Sequence, residues 1–302
     1  MIEVKQRASL PGHQNPIYTI ESNPATQSFY TAGNDKGVVE WDFQTLSPRG
    51  VVMPVQTSVY ALHLIGGGSL LAAGQRSGLV SVYNLKERRL AANIQLHQLP
   101  VYGLAAIESK NELLAASEDG TVSVTDLSAF SAVYQFRVSE QTVRCIAVSP
   151  DGRLVAFGCK DNVIRIYRTD DYSEVQELHQ HTMPVTSLAF TPDGSSLLSG
   201  GRDARLNIWN TANFELRESI TAHMFAVYDI RFHPSLPYFA TASQDKSIKI
   251  WSTDSFKLKK VISREKGFEM HTHSVNKLSW NTADGTLLSV SDDKIVMAWE
   301  VK

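Results

Sequence analysis

Cysteine is scarce in this chain: 302 residues contain two, Cys145 and Cys159. Two thiols cannot by themselves build a disulfide framework or a four-ligand zinc site. They read as small buried hydrophobes in a reducing compartment. An excess of charge of one sign is also lacking. The 29 Lys and Arg against 31 Asp and Glu leave a formal net charge of −2, which argues against a generic polyanion binder. No run approaches the roughly 18 apolar residues of a membrane span. The N-terminal Met1-Ile2-Glu3-Val4-Lys5-Gln6-Arg7 has an early acid and no apolar core of a secretory signal. The expectation is a cytoplasmic protein with no membrane partner. A Walker-type loop is missing too, because Gly66-Gly67-Gly68 is followed by neither Lys-Ser/Thr nor a helical pattern and reads as a hairpin turn. A hydrophobic share of 43% with 20% charged residues excludes disorder of the whole chain.

What is present is a repeat. Short β-rich runs end at Trp41, Tyr83, Thr125, Tyr167, Trp209 and Trp251, each 42 residues after the one before, and a seventh ends at Trp299 after an interval of 48. An apolar residue lies 24 positions before every one of these markers: Ile17, Val59, Val101, Val143, Val185, Val227 and Val275. The six extra residues therefore fall between Trp251 and Val275, and the stretch Ser263 to Met270 reads as a polar loop. Alternating runs such as Thr186-Ser187-Leu188-Ala189-Phe190 indicate strands, and Pro150-Asp151-Gly152, Pro192-Asp193-Gly194 and Asp284-Gly285 indicate turns between them. Four short strands in each of seven repeats, with no helical period, imply sheets stacked around an axis. A length that suggests about two domains thus gives way to one domain over residues 1–302. The chain stops three residues after Trp299, so the seventh repeat lacks a fourth strand. The run from Val4 to Leu10 precedes His13 as Phe214 to Ile220 precedes His223, and is expected to supply it.

These residues resemble the WD-repeat (Trp-Asp repeat) β-propeller family over the whole chain. Gly12-His13 and Trp41-Asp42 look like its two end signatures. The resemblance implies an all-β, seven-bladed propeller with four antiparallel strands per blade and a ring closed by the N-terminal strand. It also implies a hydrogen-bonded tetrad of His, Ser or Thr, Asp and Trp in each repeat. Four repeats carry the full set: His13, Thr31, Asp35 and Trp41; His181, Ser199, Asp203 and Trp209; His223, Thr241, Asp245 and Trp251; His271, Ser289, Asp293 and Trp299. The third repeat keeps His97 and Asp119, the fourth only Asp161 and the second none, so these three are expected to be locally less rigid. Recurrence at one spacing marks the Ser/Thr-His-Asp sets as structure; a hydrolase triad is a single constellation.

In this family partners often dock on the face that carries the loops into the first strand and between the second and third. The resemblance places a partner-binding rim at Tyr18, Tyr60, Arg76, Tyr102, Arg144, Lys160, Arg202, Tyr228 and Asn276. Tyr and Arg at such positions suit binding hot spots. Arg144, Lys160 and Arg202 would form a basic sector fitting an acidic segment of a protein or peptide. The pairs His179/His181 and His271/His273 lack accompanying acids or cysteines, so no metal is expected, and no cofactor. The expectation is a non-catalytic interaction scaffold or adaptor. The alternatives are an enzyme or small-molecule binder using a central channel, with Asp229 as its main candidate residue, and a nucleic-acid binder using the basic sector.

Overall fold

A computed structural model describes residues 2–302. The described residues form 28 strands in seven four-stranded sheets. After β1 (Val4–Leu10), the first blade is β2 (Ile17–Asn23), β3 (Ser28–Gly33), β4 (Gly37–Asp42) and β5 (Ser47–Pro54). The second is β6 (Val59–Ile65), β7 (Leu70–Gln75), β8 (Leu79–Asn84) and β9 (Arg89–Gln95). The third is β10 (Val101–Ile107), β11 (Glu112–Ser117), β12 (Thr121–Asp126) and β13 (Ser131–Arg137). The fourth is β14 (Val143–Val148), β15 (Leu154–Cys159), β16 (Val163–Arg168) and β17 (Glu174–His179). The fifth is β18 (Val185–Phe190), β19 (Ser196–Gly201), β20 (Arg205–Asn210) and β21 (Leu216–Thr221). The sixth is β22 (Val227–Phe232), β23 (Tyr238–Ser243), β24 (Ile248–Ser252) and β25 (Leu258–Ile262). The seventh contains β26 (Val275–Trp280), β27 (Leu287–Ser291) and β28 (Val296–Val301) and takes β1 as its fourth strand. This is the fold class of a seven-bladed β-propeller. β1 pairs antiparallel with β28, from Val4 opposite Val301 to Leu10 opposite Val296, so the N-terminal run completes the last blade.

Burial within a blade follows strand position. β3, β11, β19 and β27 are buried at every residue, whereas β13 and β21 are mostly exposed. Runs such as Leu-Leu in β19 and Leu-Leu-Ala-Ala in β11 suit strands covered on both faces. The chain divides into two compact units, one reaching Leu62 and resuming over Tyr228–Lys302, the other His63–Val227. In the first, β2 packs on β26 and β27, and its clusters centre on Trp41 with Phe29 and on Trp299 with Trp280. In the second, β10, β14 and β18 pack in succession, with clusters built on Phe157, Leu114 and Trp209.

Two periodic features emerge only from the backbone. Between the third and fourth strands one residue per repeat sits at positive φ: Leu46, Arg88, Phe130, Tyr172, Phe214 and Phe256, at +50 to +59°. The left-handed region costs such residues about 1–2 kcal/mol each. Leu46, Tyr172 and Phe214 pack on core clusters and Phe256 is buried, which offsets that strain. The fourth strand of every blade also bulges opposite the marker, at Arg7, Arg49, Ala91, Val133, Val175, Arg217 and Lys259. Glycine is required at Gly78 and Gly120, where φ is +84 and +82°. A Cβ there would lie 2.2 Å from the His97 carbonyl oxygen and 2.1 Å from that of Ser139.

The extra segment before the seventh blade departs from a polar loop. Arg264–Lys266 form one 3-10 turn ended by Gly267 at φ +84°. Phe268 then meets Trp299 edge-on at 6.2 Å and Met270 is buried beside it. Two apolar residues anchor what its charges suggested was a free loop. Cys145 is half-buried rather than buried. Cys159 is fully buried, and burial pushes its thiol up to about 12, so it is inert near neutrality.

Candidate functional site

In the first blade Trp41 Nε1 donates to Thr31 Oγ1 at 2.7 Å. Thr31 Oγ1 lies 2.7 Å from His13 Nε2, and His13 Nδ1 lies 2.6 Å from Asp35. Only one proton order satisfies every member: indole to hydroxyl, hydroxyl to Nε2, Nδ1 to carboxylate. The fifth blade has the same chain, with Trp209 to Ser199 at 3.0 Å, Ser199 to His181 at 2.9 Å and His181 to Asp203 at 3.0 Å. The seventh repeats it through Trp299, Ser289, His271 and Asp293 at 3.0, 2.9 and 3.0 Å. In the sixth, Trp251 donates to Thr241 at 2.9 Å, while Asp245 accepts the Ser247 N–H and hydroxyl. Burial lowers the His13 pKa below 6.5 against the pull of Asp35. Burial opposes the charge on Asp203 and Asp293, but bonds from His181 and His271 and from backbone amides outweigh it. Both carboxyls stay below their usual range.

The three blades without full tetrads have networks of their own, through the residue two before the marker. In the third blade His97 keeps Asp119 at 3.0 Å and turns Nε2 to Ser123 Oγ at 2.9 Å. In the fourth, Ser139 takes the histidine's place and Asp161 accepts from both Ser139 and Arg165 at 2.8 Å. In the second, Gln75 donates to Ser81 at 2.9 Å and Ser81 to Asn93 at 2.6 Å. Comparison of four tetrad columns could not find these, because the fifth column, Ser81, Ser123, Arg165 and Asn207, lies outside them. Its sign is a polar residue two before the marker in the second to sixth repeats, where the first and seventh have Val39 and Met297.

The rim residues divide by how they are held. In the first unit the Tyr18 and Tyr60 rings stack at 5.3 Å, and both are half-buried. Asn276 spends its amide hydrogens on the Ile17 carbonyl and Asp292, each at 2.8 Å, so its donors serve the fold. Tyr228 is half-buried on β22. In the second unit the Arg144 guanidinium lies 5.3 Å over the Tyr102 ring, whose hydroxyl donates to Glu118 at 3.0 Å. Arg76, Lys160 and Arg202 are exposed, and none has a side-chain partner among the described residues. Backbone bonds tie these turns to the loops entering the first strands, with Lys160 N–H to the Thr142 carbonyl and Arg202 N–H to that of Pro184, both 2.9 Å.

A second set was missed. Leu99, Met183 and Phe225, each two residues after the tetrad-histidine position, are 45%, 46% and 56% exposed, and Met224 is 81% exposed. The rim residues taken from the resemblance skip that column. The signal was in the chain all the same, as large apolar side chains within turn segments.

The alternative residue Asp229 is buried with both oxygens committed. Oδ1 meets Lys277 Nζ at 2.9 Å, and Oδ2 accepts from Arg231 Nε at 3.1 Å and the Leu278 N–H at 3.0 Å. Arg231 also reaches Glu21 at 3.5 Å. Burial opposes the charge of Asp229, but Lys277 and Arg231 outweigh it and hold the carboxyl low, so it is a fixed counter-ion rather than a poised acid or base. His181 and His271 are occupied by tetrads, while His179 meets Glu177 at 3.1 Å and His273 meets Thr272 at 2.8 Å. Among the described residues no three His, Cys, Asp or Glu side chains converge on a metal position, and no helix is long and apolar enough to cross a membrane.

The family described as WD domain, G-beta repeat matches residues 4–42, 172–210, 214–252 and 263–300, slightly over half of the chain. Three matches begin at or just before a blade's outermost strand and the fourth just after β25, and each ends one residue past Trp41, Trp209, Trp251 or Trp299, so the four matches follow the four tryptophan markers. The family described as Anaphase-promoting complex subunit 4 WD40 domain matches residues 105–183. A search of curated proteins finds no match. Seven four-stranded blades, tetrads at one spacing and these matches make the chain a member of the WD-repeat family.

Proposed function

We propose that this protein is a non-catalytic scaffold or adaptor, one domain over residues 1–302, that holds a protein or peptide partner on its tyrosine- and arginine-bearing rim. WD-repeat propellers generally mediate protein–protein interaction, and the match over 105–183 is to a domain of a complex subunit. The observation that carries the reading is the set of exposed cations Arg76, Lys160 and Arg202, unpartnered at one equivalent turn in three blades. A cation held on a rigid turn without an acid loses little on meeting a partner's carboxylate. The stacked Tyr18 and Tyr60 offer area with few rotors to freeze. An acidic segment is the partner chemistry, and the cytoplasm is the proposed location.

The test is copurification with the triple variant Tyr60→Ala, Arg144→Ala, Arg202→Ala. Truncating hot-spot residues costs about 2 kcal/mol or more each, enough together to remove a micromolar complex from detection. The expected result is loss of the main partner with an unchanged melting temperature. A stably folded triple variant that keeps its partner would sink the rim reading.

A further inference from the structure

The unit His63–Val227 carries a pattern that the rim reading alone does not use. Leu99, Met183 and Phe225 lie in the loops leading into β10, β18 and β22 and are about half exposed. In the other unit the same column reads Asn15, Thr57 and His273, all polar. The apolar column is therefore confined to one unit, where Gln141 is its single polar member.

These loops lie in order. β10, β14 and β18 pack one against the next, and Thr186 Oγ1 donates to the Val227 carbonyl at 2.5 Å, fastening β18 to the start of β22. The backbone bond from Arg202 to Pro184 sets Arg202 beside Met183, which precedes Pro184. The bond from Lys160 to Thr142 sets Lys160 beside the intervening loop. Along the succession the surface alternates between apolar anchor and cation. The one acid at the equivalent turn within this unit, Glu118, accepts from the Tyr102 hydroxyl at 3.0 Å.

We propose that this sector binds a linear segment of a partner protein in which Asp or Glu residues flank large aliphatic or aromatic side chains. The inference rests on the rim reading, keeps its Arg144, Lys160 and Arg202, and adds Leu99, Met183 and Phe225. Complementarity supports it from two sides. Unpartnered cations attract carboxylates at long range, and exposed methionine and leucine gain by leaving water. Methionine's unbranched chain also adapts to differing apolar shapes. A nucleic-acid strand would satisfy the cations but leave Leu99 and Met183 in water, since a phosphate backbone has no apolar side chain to cover them.

A display library of random dodecapeptides, selected on the intact protein, tests the idea. The expected winners are enriched in Asp and Glu next to Leu, Ile, Phe or Met. Their fluorescently labelled forms bind more weakly as salt rises. The double variant Met183→Ser, Arg202→Glu loses about tenfold or more in affinity while its melting curve is unchanged. Lys160→Glu gives a second surface variant with the same expected direction. Winners without acidic enrichment, or winners that bind both variants like the native protein, overturn the proposal. If winners lose binding with Tyr18→Ala and Tyr60→Ala but not with these variants, the sector is wrong and the rim reading survives. Failure to select any peptide overturns the linear-segment inference, as does binding of a single-stranded oligonucleotide that displaces the winners.

Discussion

Each tetrad side chain would be costly to bury alone, and the chain of donors removes that cost at every member. The substituted blades show that the requirement is satisfaction rather than a particular residue. Ser123 does in the third blade what Ser199 does in the fifth, from a different strand position. Ser123→Ala and Ser199→Ala should therefore each cost about 1–3 kcal/mol, read by denaturant unfolding. A neutral Ser123→Ala would show that the third blade does not depend on its network. The histidine also sets a pH dependence. His13 has its folded pKa lowered from 6.5, so the folded state binds fewer protons than the unfolded chain just below that value. Its contribution is complete above the unfolded pKa and is lost as pH falls toward the folded one. Asp203 and Asp293, also lowered, contribute above about 3.8 and lose it as pH falls further. Melting temperature should decline in two stages on acidification. His13→Asn should melt lower near neutrality and lose less between about pH 7 and pH 5. An identical slope in both proteins would remove His13 from the first stage.

Strands matter here through their edges. β1 covers β28, which would otherwise present a row of unpaired backbone groups to other chains. Deleting residues 1–10 should lower the melting temperature strongly and promote aggregation, and a truncated protein that melts normally would contradict this role for β1. Bulges and cations are two ways of blunting an outer edge. Where the marker is Trp, the bulged residue is Arg7, Arg49, Arg217 or Lys259; where it is Tyr or Thr, the residue is Ala91, Val133 or Val175. β13 is the least protected of the latter three. It has no Pro, its only charge is Arg137, and Val133 and Tyr134 are 55% and 49% exposed. Val133→Arg should reduce light scattering on heating and leave the unfolding midpoint unchanged. Equal scattering would mean that this edge is not where aggregation starts.

For the molecule as a whole, cohesion and the proposed recognition fall on different residues of the same repeat. Buried histidines, hydroxyls and indoles fix each loop against its strands, while residues one to five places away are left to face solvent or stack on one another. That division is why variants of Tyr60, Arg144 and Arg202 should separate binding from folding. It is also why Asn276, though it shares a column with Tyr18 and Tyr60, is a poor binding candidate, since its amide already holds the Ile17 carbonyl and Asp292.

The sequence by itself determined the seven repeats, the strand that completes the last blade and the tetrad columns. All of these depend on spacing along one chain, and a 42-residue period fixes register. The tertiary structure alone decided how unmatched positions are satisfied, as with Ser123 and Arg165, because a polar group's partner is set by distance across strands. It alone turned Phe268 and Met270 inward against Trp299, because burial depends on what surrounds a loop rather than on the loop's own composition. It also separated Arg202, which faces solvent without an acid, from Asp229, whose charge is spent on Lys277 and Arg231. Arg202 lies in the turn after β19 and Asp229 on β22, and only their neighbours in space show which charge is left over.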